Sequence, residues 1–325
     1  MCFSQMTNQD KLIRIIRNQI PQNASVIDEV AAILNISYDA AHRRISLKSK
    51  FSIEETVALC KHFSLSMDLL FTDSKKVIVE KTKEIQSEAD MEAYFMESAK
   101  RLEYFKNTEG AKMYYSAKDI PLFHTIGGTL LSKFKMYVWL NLLRGSQTDN
   151  TFENFTLSRS LLEHSTKLKA VYESAEVHEI WNDTTINSTL QQIYYYFQAG
   201  LLSLQNAELL CADLEKVLTE VEHKCNAESA NYCLYYNELL ILNNNVLITA
   251  PDKQALFVPY TMLGYFITSD KETCTNAKDF FRHQIRNSKS LNQSGTRDRK
   301  IFFNRARQKT AHYLLRMQEE THTGL

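Results

Sequence analysis

The chain has 325 residues, 44% of them hydrophobic and 23% charged, with 38 basic residues balancing 38 acidic ones. That length allows two or three domains with sizeable cores, and zero net charge leaves local charge to decide whether nucleic acid is a partner. No apolar run reaches the roughly 18 residues a membrane helix needs, no basic-then-apolar signal opens the chain, and six cysteines without CxxC spacing predict free thiols in a reducing cytoplasm with no membrane partner.

Asp10 to Ile20 is a first helix, apolar at Leu12, Ile13 and Ile16 and stopped by Pro21. The stretch Ser25 to Lys50 predicts two short helices joined by a tight turn. Ser25 caps the first, in which Val26, Val30, Ile33 and Leu34 recur at helical spacing. Asn35 then supplies a residue that tolerates the left-handed region. Ser37 caps the second helix, Tyr38 to Leu47, whose Ala41 and Ile45 face the first. Its other side carries Tyr38, Asp39, His42, Arg43 and Ser46. Across 37–50, Arg43, Arg44, Lys48 and Lys50 stand against Asp39, a local excess of three positive charges suited to phosphate. Residues 51–71 continue with a capped helix, acidic at Glu54 and Glu55, and a short closing helix around Met67, Leu69 and Leu70.

Taken together, VAAILNIS at 30–37, SIE at 52–54 and SLSMDLL at 64–70 resemble the Cro/C1-type, or lambda-repressor-like, DNA-binding domain over residues 1–73. Asn35 stands where the family usually has Gly, and Ile27 where it often has a phosphate-contacting Gln. Arg44 stands at a commonly apolar position, where Ile45 can take over the packing. The resemblance implies a five-helix domain bound to double-stranded DNA as a homodimer on two half-sites. Its DNA-binding set is Ser37, Tyr38, Asp39, His42, Arg43 and Ser46 near the bases, with Lys48 and Lys50 on phosphate. The other reading of this module is a helical adaptor that contacts only protein, with His42 a solvated helix residue.

Residues 75–107 predict a long polar helix with a stripe of Met91, Phe95, Ser98, Leu102 and Phe105, a connector or a dimer seam, though a single stripe of this length more often packs against its own domain. The segment YSAKDIPLFH at 115–124, with Glu179-Ile180-Trp181 and Thr185-Ile186-Asn187, resembles the middle region of bacterial regulators in which a Cro/C1-like domain precedes a large, mostly helical region of unassigned ligand. Lys118, Asp119 and His124 could form a catalytic set; the plainer reading is a turn at Asp119 and a core histidine. Further helices fall at 127–145, 157–174, 187–204 and 206–225, the third carrying the aromatic run Tyr194 to Phe197. After residue 229, strands at 233–242, 246–249 and 255–258, turned at Asn243 to Asn245, predict a three-stranded antiparallel meander covered by helices at 271–287 and 297–317.

The expected fold is therefore mainly α: a DNA-binding domain at 1–73, a helical linker and bundle at 74–228, and a small α+β sensor or interaction unit at 229–325. Between 282 and 316 ten basic residues face one acid. Within that run, Ser294-Gly295-Thr296 leading into Arg297, Arg299 and Lys300 is a candidate site for a small anionic effector. Contact with DNA phosphates and a basic face balanced by the acidic 208–228 segment are the alternatives. His223, Cys225 and Cys233 are the best metal candidates but make a poor tetrahedral set. Phosphate-loop, HExxH and Gx[ST]xG patterns are missing, so no metal, cofactor or catalytic residue is expected, and a regulator is expected in place of an enzyme.

Overall fold

A computed structural model describes residues 6–21, 24–67, 70, 76–106, 108–144, 150–226, 231–239, 242–293 and 296–323. The chain divides into two compact units, Met1–Ile78 and Val79–Leu325.

In the first unit, α1 (Asn8–Gln19), α2 (Val26–Leu34), α3 (Tyr38–Ile45) and α4 (Ile53–His62) each begin at a Ser or Thr whose side chain accepts an N–H of the first turn. Asn35 ends α2 at φ 51°, ψ 49°, and its N–H reaches back to the carbonyls of Ala31 and Ala32. The core joins Leu12, Ile13 and Ile16 to Val30, Ala41, Ile45, Leu59 and Cys60. Ile45 is buried, whereas Arg44 beside it forks onto Glu55 of α4 through Nε (2.9 Å) and Nη2 (2.7 Å). That guanidinium holds the Glu55 carboxyl below its usual range despite partial burial. Gln9 ties the α3–α4 loop to α1: its amide donates to the carbonyls of Arg44 (2.9 Å) and Ser49 (2.8 Å), and its oxygen accepts the Phe51 N–H. Of the closing helix expected near 66–70, Asp68 and Leu69 lie outside the described residues.

The second unit is not a helical bundle with a small meander. It is built on one eight-stranded mixed sheet, ordered β1-β7-β6-β5-β2-β3-β4-β8. The strands are β1 (Glu80–Lys81), β2 (Lys112–Ser116), β3 (Glu176–Trp181), β4 (Tyr232–Tyr236), β5 (Val246–Thr249), β6 (Gln254–Pro259), β7 (Tyr265–Thr268) and β8 (Lys289–Ser290). Two of the three parallel strands, β2 and β3, come from the stretch expected to be helical. The third, β4, pairs with β3 and β8, away from the β5–β6–β7 meander it was expected to join. Parallel strands covered on both faces lack the polar alternation that betrays a strand, and β2 is buried along nearly its whole length. In β3, Glu176, His178 and Glu179 interrupt the apolar run, which hides it further.

Helices cover both faces of this sheet: α5 (Glu88–Lys106), α6 (Leu130–Arg144), α7 (Arg159–Ser174), α8 (Asn187–Gln198), α9 (Leu204–Asn226), α10 (Lys271–Arg286) and α11 (Thr296–Thr323). Strand alternation sorts the side chains. Met113, Tyr115, Val177, Trp181, Leu234 and Ile248 join the large core with α5, α6, α7, α9 and α11. Tyr114, Ile180, Leu247 and Leu256 point the other way, against Cys274 and Phe281 of α10. A second cluster packs Phe134, Tyr137, Phe152, Ile193, Tyr196 and Met317 together, so Tyr196 of the aromatic run is core, while Tyr195 is exposed. The helix expected over 75–107 begins only at Glu88, after the edge strand β1. Among the described residues no helix is long and apolar enough to cross a membrane.

Candidate functional site

All eight residues expected to meet DNA, namely Ser37, Tyr38, Asp39, His42, Arg43, Ser46, Lys48 and Lys50, are exposed. They belong to α3 and the turn that follows it, because Ala41 and Ile45 consume its inner face. Tyr38 and His42, one turn apart, lie with their rings nearly parallel at 6.5 Å. With Arg44 committed to Glu55, the cations left at this surface are Arg43, Lys48 and Lys50, against Asp39. Apolar groups border it: Tyr38 is 52% exposed, Leu47 48% and Ile53 74%.

The second unit contains a crevice of about 490 Å³, to which the segment YSAKDIPLFH contributes Tyr115, Lys118, Asp119, Ile120 and Leu122. It opens where the chain leaves the C-terminal end of β2, at Lys118, Asp119 and Ile120, and where it returns towards β5, at Asn243 and Asn244. The crossover from β2 goes to β3, and β5 lies on the opposite side of β2. The loops therefore diverge and leave a gap, as at the ligand-binding ends of open α/β sheets. Asn244, at φ 60°, holds the gap's shape. Its side-chain oxygen accepts the N–H groups of Lys118 (2.8 Å) and Asp119 (3.2 Å), while its own N–H donates to the Ser116 carbonyl (2.8 Å).

A charged pair stands in the wall. Lys135 of α6, only 1% exposed, donates to Asp119 Oδ2 (2.9 Å) and to Gln192 Oε1 of α8 (3.0 Å). Asp119 Oδ1 accepts from Thr189 (3.2 Å) and from the Ile120 N–H (2.8 Å). The remaining wall mixes aromatic and apolar groups (Tyr115, Trp139, Tyr260, Tyr265, Leu122 and Met262) with the polar Ser188, Asn243 and Thr261. Burial raises the Tyr115 hydroxyl well above its ordinary range and pushes Tyr265 up to about 12, so both remain neutral. The β6–β7 turn sets one side of the opening, and Gly264 closes it. A Cβ there would meet Thr261 Oγ1 at 2.2 Å and the Tyr260 ring at 2.8 Å. Gly264→Ala is expected to cost about 1–3 kcal/mol as the turn opens, seen as a lower denaturant midpoint.

Lys118, Asp119 and His124 do not come together as a set. Asp119 is held by Lys135, whereas Glu179 of β3 holds His124. Glu179 is wholly buried. Its oxygens lie 3.1 Å from His124 Nε2 and accept from Tyr172 (2.7 Å), Tyr232 (2.8 Å) and Trp181 Nε1 (2.9 Å). Burial by itself would raise this carboxyl, but His124 and the hydroxyl donors outweigh it and hold the group below the ordinary glutamate range. A carboxylate so fully donated to has little capacity left for substrate; its geometry is that of a structural core.

Of the expected anion site, Arg297 and Lys300 are exposed, Arg299 donates to the Leu291 carbonyl (3.1 Å), and Ser294 and Gly295 lie outside the described residues. Elsewhere in α11 the positive charge is answered from within the unit. Arg307 pairs with Glu222 (2.6 Å) and Glu215 (3.4 Å) of α9, and Arg316 pairs with Glu320 (3.2 Å). Among the described residues no group of three or more His, Cys, Asp and Glu could hold a metal. His223 is exposed, while Cys225 is buried, its thiol pushed up to about 12 by that burial.

Two signals for the crevice were present in the sequence. Lys135 sits among the apolar residues of LLSKFKMYVWL, two positions after a second lysine, Lys133, and the Asn243-Asn244-Asn245 run reads equally as a hairpin turn. Neither says which distant residues it meets. No family model, curated relative or solved structure matches the chain.

Proposed function

We propose that the chain is a cytoplasmic, DNA-binding transcription regulator. In this reading α3 of the first unit enters the major groove of double-stranded DNA. Two copies act as a homodimer on paired half-sites, because one short helix specifies few base pairs. The second unit senses a small anionic effector or carries the dimer contact. The observation that supports this most is the exposure of all eight expected residues on α3 and its following turn, three of them cations against one acid. Arg43 is the strongest candidate for a base edge, and Lys48 and Lys50 for phosphate.

Selection of bound fragments from a random duplex pool tests the reading, and a recovered sequence motif supports it. On that motif Arg43→Ala is expected to weaken binding by about 1–3 kcal/mol at fixed salt. A loss of only a few tenths would refute the assigned groove face. Lys48→Ala is expected to weaken binding uniformly across sequences and to flatten its salt dependence. A second reading, a protein-interaction adaptor, draws support from the exposed Tyr38, Leu47 and Ile53. It is favoured if no duplex is enriched.

A further inference from the structure

The crevice beside β2 has the size of a small-molecule site. At about 490 Å³ it falls within the range of roughly 300–1,000 Å³ usual for such pockets and is far too small for a folded partner. Its charge is unequal. Of the two charged residues that line it, Lys118 and Asp119, Asp119 is answered by Lys135 at 2.9 Å and by two further hydrogen bonds. The Lys118 backbone is fixed by Asn244, and its side chain is exposed at the rim. Apart from that neutralised pair, Lys118 is the charge that the described lining residues carry. Its remaining surface includes the flat rings of Trp139 and Tyr265 and amide groups at Gln192 and Asn243. Lys135 occupies the Gln192 oxygen, so what this amide offers a ligand is its NH₂ donor.

We propose that this crevice binds a small aromatic anion. The planar body packs on the aromatic wall, where offset or edge contacts add to area burial. The carboxylate or phosphate of the ligand is answered by Lys118, and a ring heteroatom or carbonyl accepts from Gln192. This site shares no residue with Arg297, Arg299 and Lys300. The inference rests on the second unit alone and stands whether or not the first unit binds DNA.

The test titrates the purified full-length chain with naphthoate, naphthyl phosphate and the neutral naphthamide, read by calorimetry and by tryptophan fluorescence. Saturable binding of one anion per chain is expected, with the amide roughly tenfold weaker or worse. Preference between the two anions tells a carboxylate ligand from a phosphate ester. Lys118→Ala and Lys118→Gln, both at an exposed position, are expected to lower anion affinity roughly tenfold while leaving the amide unchanged. Trp139→Phe should remove most of the fluorescence response, since the other tryptophan, Trp181, is buried in the core away from the crevice lining. Failure of both anions to saturate overturns the proposal, as does an amide that binds as tightly as they do. So does anion binding that survives both Lys118 variants but is lost when Arg297, Arg299 and Lys300 are changed together.

Discussion

Glu179→Ala is expected to remove about 3–5 kcal/mol from the second unit, a large share of the 5–15 kcal/mol typical of a folded domain. The substitution does more than delete four hydrogen bonds. It leaves Trp181 Nε1 and the Tyr232 hydroxyl without their acceptor in a buried site, and leaves His124 Nε2 and the Tyr172 hydroxyl with the 3.2 Å contact between them. Glu179→Gln keeps the shape and one good acceptor, so its expected cost is smaller, about 1–3 kcal/mol. Urea melts of the three proteins, compared at unchanged slope, measure both values. The pH dependence has a definite sign. The folded-state carboxyl lies below the ordinary value, so its contribution is complete above the ordinary glutamate range. That contribution is lost as acidification passes through the lower folded-state value. The parent should therefore lose stability on acidification more steeply than Glu179→Gln, which has no carboxyl to protonate. Equal slopes would show that Glu179 is not the group responsible.

Asp119→Ala is the second large effect expected, about 3 kcal/mol. The residue removed is partly solvated, with 24% of its side chain exposed, but the residue left behind is Lys135, with 1%. An ammonium on a side chain only 1% exposed keeps, among the described residues, the Gln192 oxygen as its acceptor, and the cost lies in that abandoned charge. Replacing both partners separates loss of the pair from loss of one member. Lys135→Met with Asp119→Asn retains an oxygen for the Ile120 N–H and the Thr189 hydroxyl and buries no charge. That double variant is expected within about 1 kcal/mol of the parent. A double variant as damaged as Asp119→Ala would mean that the ion pair itself, and not the orphaned lysine, stabilises this wall.

The first unit was largely legible from its residues. Its caps at Ser25, Ser37 and Ser52 each act on an N–H three residues away, and the left-handed Asn35 is recognisable from residue type and place. The outward set on α3 follows from helical spacing once Ala41 and Ile45 are put inside. Arg44 was the exception. It stands in register for the core but turns to Glu55 on α4, a partner that helix periodicity alone does not identify.

What the order of residues determined by itself is the local part: the caps and apolar stripes of the first unit's helices, the positive excess on α3 and its following turn, and the meander strands β5 and β6. Tertiary structure alone decided the rest. The parallel pairs join Lys112 to Glu176 and Val177 to Tyr232, partners more than fifty positions apart that no short window sees together. Burial on both faces removes the alternation that would have announced those strands. Glu179 is buried only because four donors, from the His124 turn, α7, β3 and β4, close around it. The crevice likewise exists only where residues from Tyr115 to Tyr265 meet, because its walls are loop ends brought together by the sheet.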